Sequence, residues 1–372
     1  MKSFYFYCLP AGRPEQSAFQ HAPICLAEGL KELDVPFHSS VNYWRISPDS
    51  DEYLLKHDPA VTVDDCDAVV VTQEWLEYHG RLPENLFRQG RQYLTIYLDH
   101  SDGGFTSSWA PEARKFDLIF KAHFNDRWRY PANCKIAWPF GLSNRLLRAT
   151  ADGLPFAGRR NEILFNFRVN HFLRQTAKKE FVRHFSQLLP INDAAEAMNA
   201  APSDPASHLD WCQTGRRHNP AYFDRLKQAK ACAAFCGFFP PPWPLDLHPL
   251  TSRFGGGLLH RLDGLLKTAG MRPQRLLQWD SWRLWESLSA GCATFHADFD
   301  KYGVRMPIMP ENWKHYVGID LDDVDGAVAR IKADAGLLAT IATNGQSWVR
   351  EHYSPVPTAQ RFLDILSQQG CS

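Results

Sequence analysis

The sequence predicts an α/β protein built from two doubly wound, Rossmann-like domains. Three observations point there. Short apolar segments alternate with helical patterns through the first 142 residues, as happens when parallel strands are joined by crossover helices. The strand segments, above all DAVVVTQEW at 67–75, are continuously apolar, which suits strands covered on both faces. A second alternating series begins at residue 161, and 372 residues suffice for two domains that each bury a core.

Residues 3–9 read as a buried first strand and 10–20 as a Pro/Gly loop. HAPICLAEGLKEL follows, with Ile24, Leu26, Leu30 and Leu33 at helical period. Residues 35–43 read as a second strand, 67–75 as a third, and 93–104 as a fourth that ends in a polar, glycine-rich loop. Segments 116–124 and 135–142 complete the first series. SNRLLRATADGLPFAGRR, at 143–160, is polar and rich in small residues and reads as the linker. The second half opens with NEILFNFRVN at 161–170, a strand with a polar end, followed by the helix HFLRQTAKKEFVRHFSQLL. Residues 192–209 read as a surface loop, and 223–241 as a helix leading into a strand and a proline-rich stop. Beyond Trp279, Ser281 is placed to cap a helix by accepting a backbone N–H. Leu284 and Leu288 share its inward face, Gly291 supplies a left-handed end, and CATFHA forms a short strand. The remainder is a run of helices.

Composition narrows the partners. Apolar residues are 44% and charged residues 22%, the proportions of a globular protein. Lys plus Arg and Asp plus Glu are both 41, so no net field draws in nucleic acid, and membrane contact is at most peripheral. Nine cysteines, with no CxxC pair, fit a reducing cytoplasm and argue against structural zinc. The apolar stretch of MKSFYFYCLPAGRPEQ is short and runs into a Gly-Arg-Pro-Glu turn, which favours a strand over a signal peptide. No apolar run reaches the length of a membrane span.

Arg283 and Glu286 stand three apart at the start of the helix after Ser281. That spacing most often means a solvated ion pair. A helix N-terminus with an arginine also suits a phosphate, and a carboxylate one turn on can accept sugar hydroxyls. The segment SWRLWESLSAGCATF resembles the donor-site signature of GT-B-fold glycosyltransferases, especially bacterial members of the exostosin-like and spore-coat-type groups (glycosyl transferases group 1). The resemblance implies two domains facing across a cleft, with the C-terminal helices crossing back. The acceptor side would be 1–150, the donor nucleotide-sugar domain 151–352, and the returning helix 353–372. It further implies transfer of a sugar from a nucleotide-diphosphate donor to a hydroxyl acceptor, which could be a glycan, a lipid-linked molecule or a small molecule. No cofactor and no metal are implied.

In similar enzymes the carboxylate at the Glu286 position meets the ribose, while nearby residues such as Ser281 and Arg283 meet the diphosphate. Many retaining members carry a second glutamate eight residues upstream. Gln278 stands there instead, which leans the reading towards inversion. Asn166, Arg168 and Asn170 lie at a strand end where open α/β sheets bind ligands, and Arg168 is a second phosphate candidate. Lys230 is a weaker one. Asp102 and His100, in the loop after the fourth strand, are candidates for the base that takes the acceptor proton. Ordinary turn chemistry explains such residues at least as often. Asp298 and Asp300 form a D-x-D pair, but in the context of the wrong fold for a metal-dependent transferase. Two alternatives remain: a binding protein of the same fold without turnover, and an epimerase or hydrolase acting on the nucleotide sugar itself.

Overall fold

The structure, a computed structural model, describes residues 3–9, 21–100, 111–165, 172–193, 200–239 and 274–368. Its first half runs β1 (Phe4–Tyr7), α1 (His21–Glu32), β2 (Phe37–Ser39), β3 (Tyr43–Arg45), β4 (Tyr53–Leu55), β5 (Ala68–Thr72), α2 (Gln73–His79), β6 (Leu94–Asp99), β7 (Leu118–Lys121) and β8 (Ile136–Ala137). Six of these strands form a parallel sheet in the order β2-β1-β5-β6-β7-β8, and β3 pairs with β4 as an antiparallel hairpin. Every residue of β5 is buried, as its unbroken apolar run requires when helices and loops cover both faces.

The second half continues with α3 (Asn144–Ala149), β9 (Arg160–Leu164), α4 (Phe172–Phe185), β10 (Ile191–Asn192), α5 (Pro205–Gln213), α6 (Pro220–Gln228), β11 (Ala229–Ala233), α7 (Trp282–Ser289), β12 (Ala293–Ala297), β13 (Val317–Ile319), α8 (Val324–Ala333), α9 (Leu337–Tyr353) and α10 (Pro355–Gln368). Its five strands are parallel in the order β10-β9-β11-β12-β13. In each sheet the strand order reverses once, between β1 and β5 and between β9 and β11.

Three readings of local structure are corrected. Residues 35–43 are not one strand: β2 ends at Ser39 and the chain turns into the β3–β4 hairpin. The linker stretch contains α3, which carries the buried Leu146. The expected loop at 192–209 gives way to α5, whose N-cap Asp204 accepts the Ser207 N–H at 2.8 Å with Pro205 behind it. Asp followed by Pro is a helix start.

The chain crosses back at its end. Ala359, Phe362 and Leu366 of α10 share one core with Phe4, Phe6, Ile24 and Leu30 of the first half. The two halves also meet at their carboxyl edges. After β7, Asn125 Nδ2 donates to the Leu276 and Tyr302 carbonyls at 3.0 and 2.8 Å. Trp279 Nε1 donates to the Phe124 carbonyl at 3.0 Å, and Arg305 pairs with Asp126 at 2.9 Å. These bonds hold the loops after β7 and β12 face to face. Among the described residues no helix is long and apolar enough to cross a membrane.

Candidate functional site

The seam between the carboxyl edges is organised by α7. Leu284 and Leu288 bury one face of the helix, and its other end closes with Gly291 at φ 72°. There the Gly291 and Cys292 N–H groups donate to the Leu288 and Ser287 carbonyls, each at 3.0 Å. At the N-terminus Ser281 is the N-cap residue in extended conformation, but its hydroxyl makes no capping bond. The Oγ is buried without a hydrogen-bond partner, which corrects the expected cap. Asp280 fixes this N-terminus to the first half. Its Oδ2 accepts the Phe140 N–H at 2.8 Å, its Oδ1 accepts Trp285 Nε1 at 2.6 Å, and its own N–H donates to His123 Nδ1 at 3.0 Å. Burial raises the Asp280 carboxyl to about 6, with His123 pulling the other way.

One turn into α7, Glu286 is buried and accepts the Tyr222 hydroxyl at 3.0 Å. It is not the solvated ion pair that spacing alone suggests. Burial pushes its carboxyl up, opposed by Arg145, Arg283 and the Tyr222 bond. For Arg283 burial works against the charge, but Tyr222, Cys232 and Glu286 outweigh it and hold the guanidinium up.

Arg145 of α3 is the residue the sequence reading missed here, because it lay inside the stretch read as a linker. It is 1% exposed. Its Nη1 donates to His218 Nδ1 at 2.6 Å and its Nη2 to His21 Nε2 at 2.9 Å. Both imidazoles must be neutral to accept. Burial, then Arg145 itself, lowers His218 to about 3 and His21 well below its usual range. The His21 ring stacks on Trp282 with centroids 3.9 Å apart, so the first turn of α7 is braced from the first half.

Facing this, the carboxyl edge of the first sheet carries Asp99, His100, Lys121 and His123. Lys121 Nζ lies 3.5 Å from Asp99 Oδ1, both side chains almost wholly buried. His100 is 2% exposed with neither ring nitrogen hydrogen-bonded, and burial lowers it to about 3. Glu74, which the sequence reading passed over, is on the same edge.

Lys230 is placed elsewhere. It lies at the amino end of β11, donating to Asn161 Oδ1 at 3.3 Å with Phe156 beneath it, and so is on the opposite edge from Ser281. Asp102, Asn166, Arg168 and Asn170 lie outside the described residues. The D-x-D carboxylates already have protein partners: Asp298 accepts Asn312 Nδ2 at 3.0 Å, and Asp300 pairs with Arg305 at 3.2 Å.

No family model matches the sequence, and no curated protein matches it by sequence. By structure the chain is similar to alpha-glucosyltransferase (AGT) in complex with UDP, at 10% identity and TM-score 0.53, covering 99% of this chain and 100% of that one. It is similar to alpha-glucosyltransferase in complex with UDP-glucose and DNA containing an abasic site, at 10% identity and TM-score 0.51, over 98% of each chain. It is also similar to AviGT4, a glycosyltransferase involved in avilamycin A biosynthesis, at 14% identity and TM-score 0.51, over 98% of this chain and 96% of that one. The match runs end to end across both halves and the returning helices. The chain therefore has the GT-B fold.

Proposed function

We propose that the chain is a glycosyltransferase that moves a sugar from a nucleotide-diphosphate donor to a hydroxyl acceptor. The observation that carries this reading is the first turn of α7. It sets an unpartnered, buried Ser281 hydroxyl and Arg283 at a helix N-terminus, with the Glu286 carboxylate one turn deeper, all at the carboxyl edge of the second sheet. A diphosphate fits the N-terminus and guanidinium, and ribose hydroxyls fit the carboxylate. Arg168 and Asn166, which follow β9 in the chain, remain the further phosphate contacts of this reading. Positive charge from Arg283 and the helix stabilises the leaving diphosphate, so the proposed transfer uses no metal.

Two of the similar structures hold UDP or UDP-glucose, which makes a UDP-sugar the first donor to test. The inverting course is favoured by Gln278, an uncharged side chain where a retaining subgroup has a carboxylate. The acceptor is a glycan, a lipid-linked molecule or a small molecule. A nucleic acid joins that range because one of the similar structures contains DNA, and a zero net charge leaves room for a local basic patch. Membership of the exostosin-like or spore-coat-type groups rests on the α7 segment alone. The reducing cytoplasm remains the compartment of this reading, on nine cysteines that form no CxxC pair.

Calorimetry against UDP-, GDP-, CMP- and dTDP-sugars tests the reading. One of them should bind the wild type, and Glu286→Ala should weaken that binding. An unchanged dissociation constant in the variant would remove the donor from α7.

A further inference from the structure

Glu74 lies where the strand order of the first sheet reverses. From β1 the chain crosses to β2 on one side, and from β5 to β6 on the other. Crevices at such reversals, outside the strands' carboxyl ends, are where open α/β sheets hold ligands. β5 ends at Thr72 and α2 begins at once, which puts Glu74 in the first helical turn at that crevice.

The surroundings are polar and buried. Glu74 is 5% exposed, and its Oε2 has no hydrogen-bond partner. Thr72 precedes it, Glu77 lies one turn on, Asp99 faces it from the end of β6, and the buried thiol of Cys8 faces it from the chain after β1. Beyond Asp99 come its ion-pair partner Lys121 and His100, whose two ring nitrogens are also unpartnered. A buried polar atom without a partner is destabilising. Glu74 Oε2 and both His100 ring nitrogens, on one sheet edge, mark a place where the partners come with a substrate.

We propose that Glu74 takes the proton from the acceptor hydroxyl in the transfer reaction, an inference that rests on the glycosyltransferase reading above. The acceptor oxygen bonds to the anomeric carbon as the bond from that carbon to the diphosphate oxygen breaks, and the electron pair leaves with the diphosphate. The hydroxyl proton passes to the Glu74 carboxylate, and the resulting carboxylic acid returns it to water after the product departs. His100, held neutral by burial, hydrogen-bonds the acceptor without taking its proton. Burial raises the Glu74 carboxyl to about 8, with a bond from its own backbone N–H and then Thr72 lowering it, and Glu77 and Asp99 adding to the rise. A base in that range is matched to proton transfer near neutral pH.

The test follows release of nucleoside diphosphate from the best-binding nucleotide sugar, UDP-glucose first, with water as acceptor, from about pH 5.5 to 9.5. The wild-type rate should rise with pH through about 8. Glu74→Gln should lower the rate about a hundredfold or more and abolish that rise, with donor affinity within about twofold by calorimetry. Glu74→Asp keeps a carboxyl and should keep the rise with a moved midpoint, which also covers failure of the glutamine variant to fold. Loss of the pH rise in Asp102→Asn but not in Glu74→Gln would overturn the proposal, as would an unchanged rate in Glu74→Gln. If the wild type binds no nucleotide sugar, the donor reading fails and this inference falls with it. If binding survives and only the Glu74 result is negative, the donor reading stands.

Discussion

The Tyr222 hydroxyl donates to Glu286 Oε2 over 3.0 Å, tying α6 to α7 just beneath the helix N-terminus. The bond favours the charged carboxylate, which burial disfavours. Hydrogen bonds to a charged group contribute about 1.5–3 kcal/mol, so Glu286→Ala should weaken nucleotide-sugar binding about ten- to a hundredfold. Tyr222→Phe should have a smaller effect, about three- to tenfold at pH 7. Without the phenol the Glu286 carboxyl rises further, so binding in this variant should recover at higher pH. Calorimetry at several pH values checks this. Parallel pH curves for wild type and Tyr222→Phe would uncouple the pair.

Three buried carboxyls give the free protein an unusual pH dependence. Burial raises Glu28 to about 7, Glu74 to about 8 and Asp280 to about 6. Each therefore holds its proton in the folded state where the unfolded chain has released it. Between the unfolded values near 4 and the folded values, the folded state binds more protons, and stability falls as pH rises. The contribution of these groups should be fully present below about pH 4 and gone above about pH 8. Below about pH 6.5 the buried, neutral His21, His100 and His218 pull the other way, so urea unfolding should show a midpoint that drops between about pH 7 and 8.5. Glu74→Gln should flatten the curve, its advantage over the wild type growing as pH rises through about 8 and vanishing near about pH 4. A midpoint that climbs over that interval would contradict the burial of these carboxyls.

Much of the fold was legible because its signals are local. The apolar run of β5, the helical period around Ile24 and Leu30, and the Gly291 end of α7 each specify their element without help from elsewhere. The β3–β4 hairpin was not, since strands of three residues carry too little periodicity to stand out. Of the site, α7 was found through its resemblance, whereas Arg145 gave no signal. Its role comes from His21 and His218, residues more than 70 positions away that only the tertiary fold brings to it. Glu74 was hidden because it falls inside 67–75, read as strand throughout; the strand stops at Thr72, which puts Glu74 at the end where ligands bind.

Arg145 invites a direct probe. Its guanidinium bonds two imidazoles from different parts of the chain, and a lysine cannot span both. Arg145→Lys and Arg145→Met should each lower the unfolding temperature by several degrees. Since Arg145 is the second cause of the low His21 and His218 values, after burial, both should titrate at higher pH in Arg145→Met. NMR titration of the histidine rings would read this. Unmoved ring signals would separate Arg145 from the two histidines.

The return of α10 rests on a glycine. Alanine is normally the better helix former, worth about 1 kcal/mol over glycine in a helix interior, so Gly29→Ala in α1 should stabilise an isolated helix. Here a Cβ at residue 29 would stand 2.0 Å from the Pro355 carbonyl oxygen and 2.7 Å from Ala359 Cβ. A backbone carbonyl cannot rotate away, so α10 must shift and draw Phe362 and Leu366 from the core they share with Phe4. Overpacking of this kind costs about 1–3 kcal/mol or more and outweighs the gain in propensity. Gly29→Ala should therefore lower the urea midpoint. Gly158→Ala, where a Cβ meets nothing within 4 Å and φ is not positive, should leave it nearly unchanged. Stabilisation by Gly29→Ala would mean that α10 does not rest against α1 at this point.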